Sequence, residues 1–129
     1  MRVLVCGGRR YGNPNLPDWE RERATVWRYL GYLDTRVKAI IHGAAAGADS
    51  IAGEWARENG IPEEAYPADW DRHGKRAGYL RNVQMLEEGK PDLVIAFPGG
   101  KGTRMMIDIA KRGNVMVIEV GDDGHVIRR

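Results

Sequence analysis

The feature that most constrains the fold is an apolar stretch at residues 92–97 that runs directly into a glycine cluster at residues 98–103. The stretch has the length of a buried strand, and residues 104–112 continue with helical spacing. Glycines in such a turn can adopt positive φ angles, and the free N–H groups that begin the next helix attract anions. The pattern therefore predicts a strand, a phosphate-binding turn and a helix, although a tight turn that binds nothing has the same pattern.

Two further apolar stretches, at residues 2–6 and 38–42, also end in glycines. Gly7 and Gly8 follow the first stretch, and residues 43–47 follow the second. Continuous apolar strands are typical of a parallel sheet that helices cover on both faces. Because the loops after parallel strands gather at one edge of the sheet, we predict that the three turns form an anion site of nucleotide size.

The predicted strands alternate with segments of helical spacing, which indicates one α/β domain over residues 1–129. We expect a mostly parallel sheet in the middle of three layers, with helices on both faces. A helix is predicted from Asp18 to about Asp34, with Asp18 as its N-terminal cap. Residues 61–67 predict a weak strand whose prolines suit an edge position, and residues 115–120 predict another apolar strand.

Composition limits the class of function. The formal charge of +2 is too small to favour a nucleic-acid partner, although the pI near 8.8 is basic. Cys6 is the single cysteine, which excludes an internal disulfide and a zinc cluster built from cysteines, and we predict neither a metal ion nor a cofactor. Since no apolar segment is long enough to span a bilayer or to act as a signal peptide, we predict a cytoplasmic protein with no membrane partner.

Residues 68–82 mix aromatic, acidic and basic residues with glycine and show no clean periodicity. Such a segment is seldom needed for packing alone. Trp70 can stack on a nucleotide base, while Lys75, Arg76 and Arg81 can neutralise phosphate. The alternative is that Trp70 fills the core and that the cations are merely solvated.

Asp49 lies where the second glycine loop becomes a helix. It can cap that helix and offset its positive end, or it can bind a ribose hydroxyl or activate water. Both roles stay open at this point. His42, at the end of the preceding strand, is interpreted as a hydrogen-bonded structural residue.

The predicted ligand-binding residues come from the glycine turns, the helix starts and the segment 68–82. They are Gly7, Gly8, Arg9, Gly43, Gly47, Asp49, Trp70, Lys75, Arg81, Asn82, Gly99, Gly100, Lys101, Gly102 and Thr103. The backbone N–H groups predicted to hold phosphate are those of Gly8, Gly43, Gly99, Gly100, Gly102 and Thr103. The predicted sources of positive charge are Arg81 and Lys101.

These motifs, in this order, resemble the YspA-like (YpsA-related) branch of the SLOG superfamily. The matching segments are residues 5–9, 42–49, 68–78, 81–82 and 96–103. The resemblance implies a Rossmann-like domain that binds nucleotides or nucleotide-derived ligands. It also implies kinship with LOG-type enzymes, which cleave ribose 5′-phosphate from a purine riboside monophosphate, and it is compatible with a homodimer.

One departure from the LOG-type pattern bears on catalysis. Those enzymes follow the threonine with a short acidic stretch whose glutamate helps to cleave the N-glycosidic bond, whereas Arg104, Met105 and Met106 stand here. Arg81 matches the arginine that LOG-type enzymes pair with that glutamate. The substitute carboxylates that we consider are Asp49, Asp69, Asp71 and Asp108. Asp49 is the best placed of them, since Asp108 should point away from the start of its helix.

The sequence therefore leaves functions of different classes open, and with them the question of whether the chain is an enzyme. The main prediction is a non-catalytic module that binds or senses a nucleotide. The first alternative is a glycosidase that uses Asp49 and Arg81 to release the free base from a nucleoside monophosphate. The second is the handling of single-stranded DNA, because the superfamily includes a DNA-processing factor.

Overall fold

A computed structural model describes residues 1–127 of the chain. Strands and helices alternate along it. The elements are β1 (Arg2–Cys6), α1 (Trp19–Leu33), β2 (Ala39–His42), α2 (Ala48–Glu58), β3 (Glu63–Ala65), α3 (Trp70–His73), α4 (Ala77–Gly89), β4 (Leu93–Ala96), α5 (Lys101–Arg112) and β5 (Met116–Glu119). Two single turns of 3₁₀ helix, at Asp34–Arg36 and Gly74–Arg76, follow α1 and α3.

The five strands form one sheet in the order β3-β2-β1-β4-β5, and each neighbouring pair is parallel. In the centre of the sheet, Val3 lies opposite both Ile40 and Leu93. This arrangement confirms the predicted Rossmann-like α/β fold with a parallel sheet. The strand order reverses between β1 and β4, which is where open α/β sheets bind ligands.

Alternate residues of the central strands enter two separate hydrophobic clusters, one on each face of the sheet. Val3 and Val5 pack with buried residues of α1 and α2, whereas Leu4 packs with buried residues of α4 and α5. Both faces of each central strand are therefore apolar, because successive side chains of a strand point to opposite faces of the sheet. The continuous apolar runs in the sequence follow from this burial on two sides.

The capping role predicted for Asp18 is wrong. Asp18 immediately precedes α1, but its carboxylate makes no capping hydrogen bond to the first turn. It instead lies 3.7 Å from Arg21 in an exposed ion pair.

No helix within residues 1–127 is both long enough and apolar enough to cross a membrane.

The irregular segment before α4 is a short helix followed by a tight turn. The Asp69 carboxylate accepts the backbone N–H of Arg72 at 3.1 Å and so caps α3, which has only four residues. Gly74 then ends α3 at a φ of +57°, a conformation that suits glycine. Residues 69–76 are all exposed, so this segment covers the edge of the sheet without joining the core.

Candidate functional site

The loops that follow β1, β2 and β4 meet at the carboxyl edge of the sheet. The backbone N–H of Gly8 donates to the carbonyl oxygen of Pro98 at 2.9 Å, which joins the loop after β1 to the loop after β4. The N–H of Ala48 donates to the carbonyl oxygen of Gly8 at 3.4 Å, which brings in the loop after β2. Three segments that are distant in the sequence therefore form one surface at the strand-order reversal.

Most of the glycines in these loops are required by contact between the loops themselves. Gly47 has a φ of +82°, and a Cβ atom there would collide with the carbonyl oxygen of Gly8. A Cβ atom on Gly99 would lie 2.7 Å from the backbone nitrogen of Gly8, and one on Gly7 would lie 2.7 Å from the Cβ of Ala48. These glycines let three backbones approach closely, and that requirement holds with or without a ligand.

Gly100 and Gly102 differ from the other loop glycines because an added Cβ atom would meet nothing within 4 Å. Both residues line a cavity at the start of α5. Neither they nor Gly99 adopts the positive φ angle that glycine allows. The chain enters α5 with Gly100 at φ −100° and ψ −143°.

The cavity has a volume of about 360 Å³ and lies between α4, the start of α5 and the loops after β1 and β2. This volume is at the small end of the range of ligand pockets. The predicted residues that line it are Gly7, Gly8, Arg9, Asp49, Trp70, Lys75, Arg81, Asn82, Gly100, Gly102 and Thr103. The predicted residues that do not line it are Gly43, Gly47, Gly99 and Lys101.

Arg81 and Asn82 connect α4 to two of the loops. Arg81 Nη1 donates to the carbonyl oxygen of Gly43 at 2.5 Å, and Arg81 Nε donates to Asn82 Oδ1 at 3.1 Å. Asn82 Nδ2 donates in turn to the carbonyl oxygen of Gly102 at 3.2 Å. The remaining nitrogen, Arg81 Nη2, makes no hydrogen bond to residues 1–127, so this nitrogen of the half-buried guanidinium can donate to a ligand.

Asp49 is buried, with 6% of its surface exposed, and it is the only carboxylate among the described residues that line the cavity. Its Oδ2 accepts the N–H groups of Gly43 at 3.0 Å and Ala45 at 3.3 Å, which holds the loop after β2. Burial raises the pKa of Asp49, and the two N–H groups, His42 and Arg81 oppose that rise. Asp49 thus fixes the loop and also presents a carboxyl group to the cavity.

The other acidic candidates lie elsewhere. Asp69 caps α3, and Asp71 is exposed in the same short helix. Asp108 lines a separate surface groove beside Lys101, as expected from its position along α5.

The proposed phosphate donors include two N–H groups that are already engaged. The N–H of Gly8 donates to Pro98, and the N–H of Gly43 donates to Asp49, so this part of the prediction is wrong. The first backbone bond within α5 runs from the N–H of Arg104 to the carbonyl oxygen of Gly100 at 3.0 Å. The N–H groups of residues 101–103 precede it and lack an acceptor within the helix, as at any helix start.

Positive charge dominates the lining of the cavity, because Arg9, Lys75 and Arg81 accompany the single carboxylate of Asp49. The guanidinium carbon of Arg9 lies 5.7 Å from the ring centre of Trp70. Trp70 is 48% exposed and belongs to neither hydrophobic cluster, so the alternative that it fills the core is wrong. Its ring lies at the mouth of the cavity, where it is accessible to a flat ligand group.

Sequence reasoning missed the apolar part of the cavity. Met85, Met105, Met106 and Tyr79 line it together with Cys6 at the end of β1. Burial, reinforced by the negative charge of Asp49, raises the pKa of the Cys6 thiol, which is therefore protonated and unsuited to act as a nucleophile. Met85 lies in α4, whereas Met105 and Met106 are adjacent in α5, and no local signal in the sequence indicated that these residues meet.

His42 has the structural role predicted for it. Its Nδ1 accepts the N–H of Ala44 at 3.0 Å, so its Nε2 carries the proton and donates to Glu63 Oε2 at 2.5 Å. This bond lowers the pKa of Glu63, and Arg57 adds to the effect. His42 thereby joins β2 to β3 and shapes the loop that holds Asp49.

Gly102→Ala is expected to change stability and ligand binding in opposite directions. Alanine in the first turn of α5 should stabilise the protein by up to about 1 kcal/mol, since glycine disfavours helix. The same methyl group lies at the cavity and should weaken the binding of any ligand that occupies the start of α5 at least about fivefold, because it would crowd that ligand. Gly31→Ala is the control, because Gly31 is exposed within α1 and has nothing within 4 Å of an added Cβ. Urea denaturation and calorimetric titration with AMP, as a phosphate-bearing probe, measure both effects; a loss of binding in both variants would contradict the expectation.

The raised pKa of Asp49 predicts a pH dependence of stability. The ionised carboxylate is disfavoured in the folded protein relative to the unfolded chain, so the contribution of Asp49 is complete below about pH 4 and is lost as the pH rises through the raised pKa. Asp49→Asn keeps an oxygen acceptor for the N–H groups of Gly43 and Ala45 and removes the titratable carboxyl group. We expect the wild type to lose unfolding free energy relative to Asp49→Asn over the pH range that extends upward from about pH 4. A difference that stays constant across this range in urea denaturation would contradict the assignment.

A parallel sheet in this order, with a cationic cavity at the reversal between β1 and β4, defines a Rossmann-like α/β protein with a cavity at its switch point. The chain belongs to the YspA, cpYpsA-related SLOG family, whose model matches residues 1–73. It is 37% identical over 131 residues to the Gene 61 protein of Mycobacterium phage D29, a match that covers 94% of this chain and 97% of that protein. The family resemblance read from the sequence is thereby confirmed.

The fold is similar to that in the X-ray structure of TM1055, a structural genomics target, with a TM-score of 0.71. The match covers 92% of this chain and 73% of that chain at 20% identity, which shows a shared fold and nothing more. Membership of the SLOG family suggests a nucleotide-related function for this chain.

Proposed function

We propose that the protein binds a nucleotide in the cavity at the start of α5. The observation that carries this proposal is that one cavity combines the first turn of α5 with Arg9, Lys75 and Arg81. Free N–H groups at a helix start and arginine side chains are the groups that proteins use to bind phosphate. The excess of cations over the single carboxylate favours an anionic ligand.

The phosphate fits best at the start of α5. Gly102 and Thr103 line the cavity there and belong to the turn whose N–H groups lack helical acceptors. Arg81 reaches the same cavity with one unengaged nitrogen. Lys101 lies outside the cavity and adds only longer-range positive charge.

The nucleoside fits the remainder of the cavity. Trp70 offers a ring face at the mouth, and the accessible side chains of Met105 and Tyr79 supply an adaptable apolar surface for a base. Asp49 is buried near Arg81 and is a suitable acceptor for a ribose hydroxyl. Its negative charge disfavours phosphate at that end, which supports placing the phosphate at α5.

Isothermal titration calorimetry with AMP, GMP, CMP and UMP tests the proposal. We expect saturable binding of at least one of these nucleotides, with an affinity that falls as salt increases because the phosphate contacts are ionic. Absence of heat from every nucleotide, with protein shown to be folded by its cooperative thermal unfolding, would refute nucleotide binding in this form.

A second candidate function is hydrolysis of the N-glycosidic bond of a nucleoside monophosphate. The observation that favours it is that Asp49 is a buried carboxylate in the cavity with a raised pKa and an arginine close by. In this reaction water forms a bond to C1′ of the ribose, the bond from C1′ to the base nitrogen breaks, and the base takes up a proton from solvent as it leaves. Asp49 would accept the proton that the attacking water loses and then release it to solvent, so that one water is consumed overall, and Arg81 would hold the ribose phosphate.

Chromatography of reaction mixtures with AMP tests this second function. Enzyme activity requires that free adenine and ribose 5′-phosphate appear in equal amounts, and that Asp49→Asn reduce the rate by at least about 100-fold. If AMP binds and no adenine appears at high protein concentration, the protein binds the nucleotide without cleaving it.

A further inference from the structure

The exposed side of α1 carries a surface groove that shares no residue with the cavity at the sheet edge. The groove has a volume of about 720 Å³, and a single helix lines it with Trp19, Glu20, Arg23, Ala24, Trp27 and Arg28. Ala24 is exposed, and its small side chain leaves room for another chain to approach the helix closely. Trp19 and Trp27 are only partly buried, and tryptophan and arginine are enriched where proteins bind one another. The groove therefore has the composition of an interaction surface.

Two charges of opposite sign in this groove have no ionic partner. Glu20 and Arg28 are both exposed, and neither forms an ion pair with any of residues 1–127. Arg28 donates only to the carbonyl oxygen of Gly124, at 3.0 Å. Because the two residues are eight positions apart, they lie about 12 Å from each other along the helix and cannot pair within one chain. Ala24 lies midway between them.

We propose that this groove binds a second copy of the chain, with the two α1 helices packed antiparallel across a two-fold axis at Ala24. Such an axis reverses the direction of the second helix, so residue 20 of each copy lies opposite residue 28 of the other. The unpaired Glu20 of one copy then meets the unpaired Arg28 of the second copy, and the symmetry forms this ion pair twice. Ala24 meets its own counterpart at the axis, where a small side chain permits close helix packing. The proposal is independent of the nucleotide site at the start of α5.

The indole N–H of Trp27 also favours a partner at this face. In the described part of the chain it is the only buried side-chain donor or acceptor without a hydrogen-bond partner, and such groups are rarely left unpaired. The guanidinium carbon of Arg23 lies 4.6 Å from the ring centre of Trp27, but an arginine provides no acceptor and this one is paired with Glu54 of α2. In the antiparallel pair, Glu20 of the second copy lies opposite Arg28, next to Trp27, and brings a carboxylate to this side of the helix.

Charge reversal tests this pairing. Sedimentation velocity of the wild type over a range of concentrations is expected to show a reversible dimer. Glu20→Arg places two pairs of like charges across the axis and should raise the dissociation constant of the dimer at least about tenfold, and Arg28→Glu should do the same. The double variant Glu20→Arg/Arg28→Glu restores both ion pairs with the charges exchanged, so its dissociation constant should return to within about threefold of that of the wild type. Thermal unfolding checks that each variant is folded.

A mixture of the two single variants tests the geometry directly. In a mixed dimer the introduced arginine of one chain faces the introduced glutamate of the other, and the native Arg28 and Glu20 face each other as before. The mixture should therefore dimerise at concentrations where each variant alone is monomeric. Glu87→Arg, at an exposed position of α4 on the other side of the sheet, is the control and should leave the dissociation constant unchanged. A wild type that stays monomeric at every concentration would refute the second copy and leave the groove to a different protein, and a dimer that both single variants leave intact would place the interface elsewhere and refute it as well.

Discussion

Replacing Gly47 with alanine is expected to lower the free energy of unfolding by about 3 kcal/mol or more. Two costs add at this position. The φ angle of +82° is unfavourable for any residue with a Cβ atom, and that atom would also collide with the backbone of Gly8 and lie 2.8 Å from the carbonyl carbon of Arg9. Backbone atoms in a packed loop cannot rotate away as a side chain can, so the two loops must separate.

Gly60→Ala is the matched control for this loss. Gly60 also has a positive φ, of +66°, yet nothing lies within 4 Å of an added Cβ, so only a backbone cost of about 1–2 kcal/mol applies. Gly47, with ψ −131°, lies outside the left-handed helical region, so its excess loss combines a larger backbone cost with the collision. Urea denaturation of the three proteins gives the two losses. If both variants lose the same free energy, close packing between the loops contributes nothing measurable.

If the proposed nucleotide site is correct, Arg81→Ala is expected to weaken AMP binding by about 10- to 100-fold, because the variant would lose a charged hydrogen bond to the phosphate. The variant should also lose stability, since the Gly43 carbonyl and Asn82 Oδ1 both lose their donor. Removing this guanidinium should raise the pKa of Asp49 further, because its charge opposes the effect of burial.

Two variants separate the local role of Arg81 from its charge. Arg76→Ala removes an equal charge at an exposed residue that does not line the cavity, and it should change AMP affinity less than about threefold. Arg81→Lys keeps the charge and loses the forked geometry, so its affinity should fall between the other two. Thermal unfolding confirms that each variant is folded. Equal losses in Arg76→Ala and Arg81→Ala would mean that only the overall charge matters.

The core of the fold was predictable because three central strands are apolar without interruption. Burial on both faces requires that pattern, and it identified β1, β2 and β4 as strands of a parallel sheet. The strand order was not predictable from these local patterns, since it depends on which side of β1 each crossover returns. The short helix α3 was also missed, because four exposed residues carry no hydrophobic period.

The glycine loops show why the candidate site could be predicted only in outline. Their positions marked the right edge of the sheet, but the sequence gives no means to distinguish Gly47, which contacts another loop, from Gly102, which borders open space. The same limit applies to hydrogen bonds. The N–H of Gly43 donates to Asp49, which is 6 residues away in the chain. The carbonyl oxygen of Gly43 accepts from Arg81, which is 38 residues away, and local sequence patterns predict neither contact.

The position of Trp70 provides an intrinsic fluorescent probe of the cavity. Its ring is half exposed at the cavity mouth with the Arg9 guanidinium above it, whereas the other three tryptophans, Trp19, Trp27 and Trp55, do not line the cavity. A ligand that enters the cavity would alter the polarity around Trp70 and leave the other three indoles unaltered. Intrinsic fluorescence can therefore follow occupancy in real time, without a dye or a label.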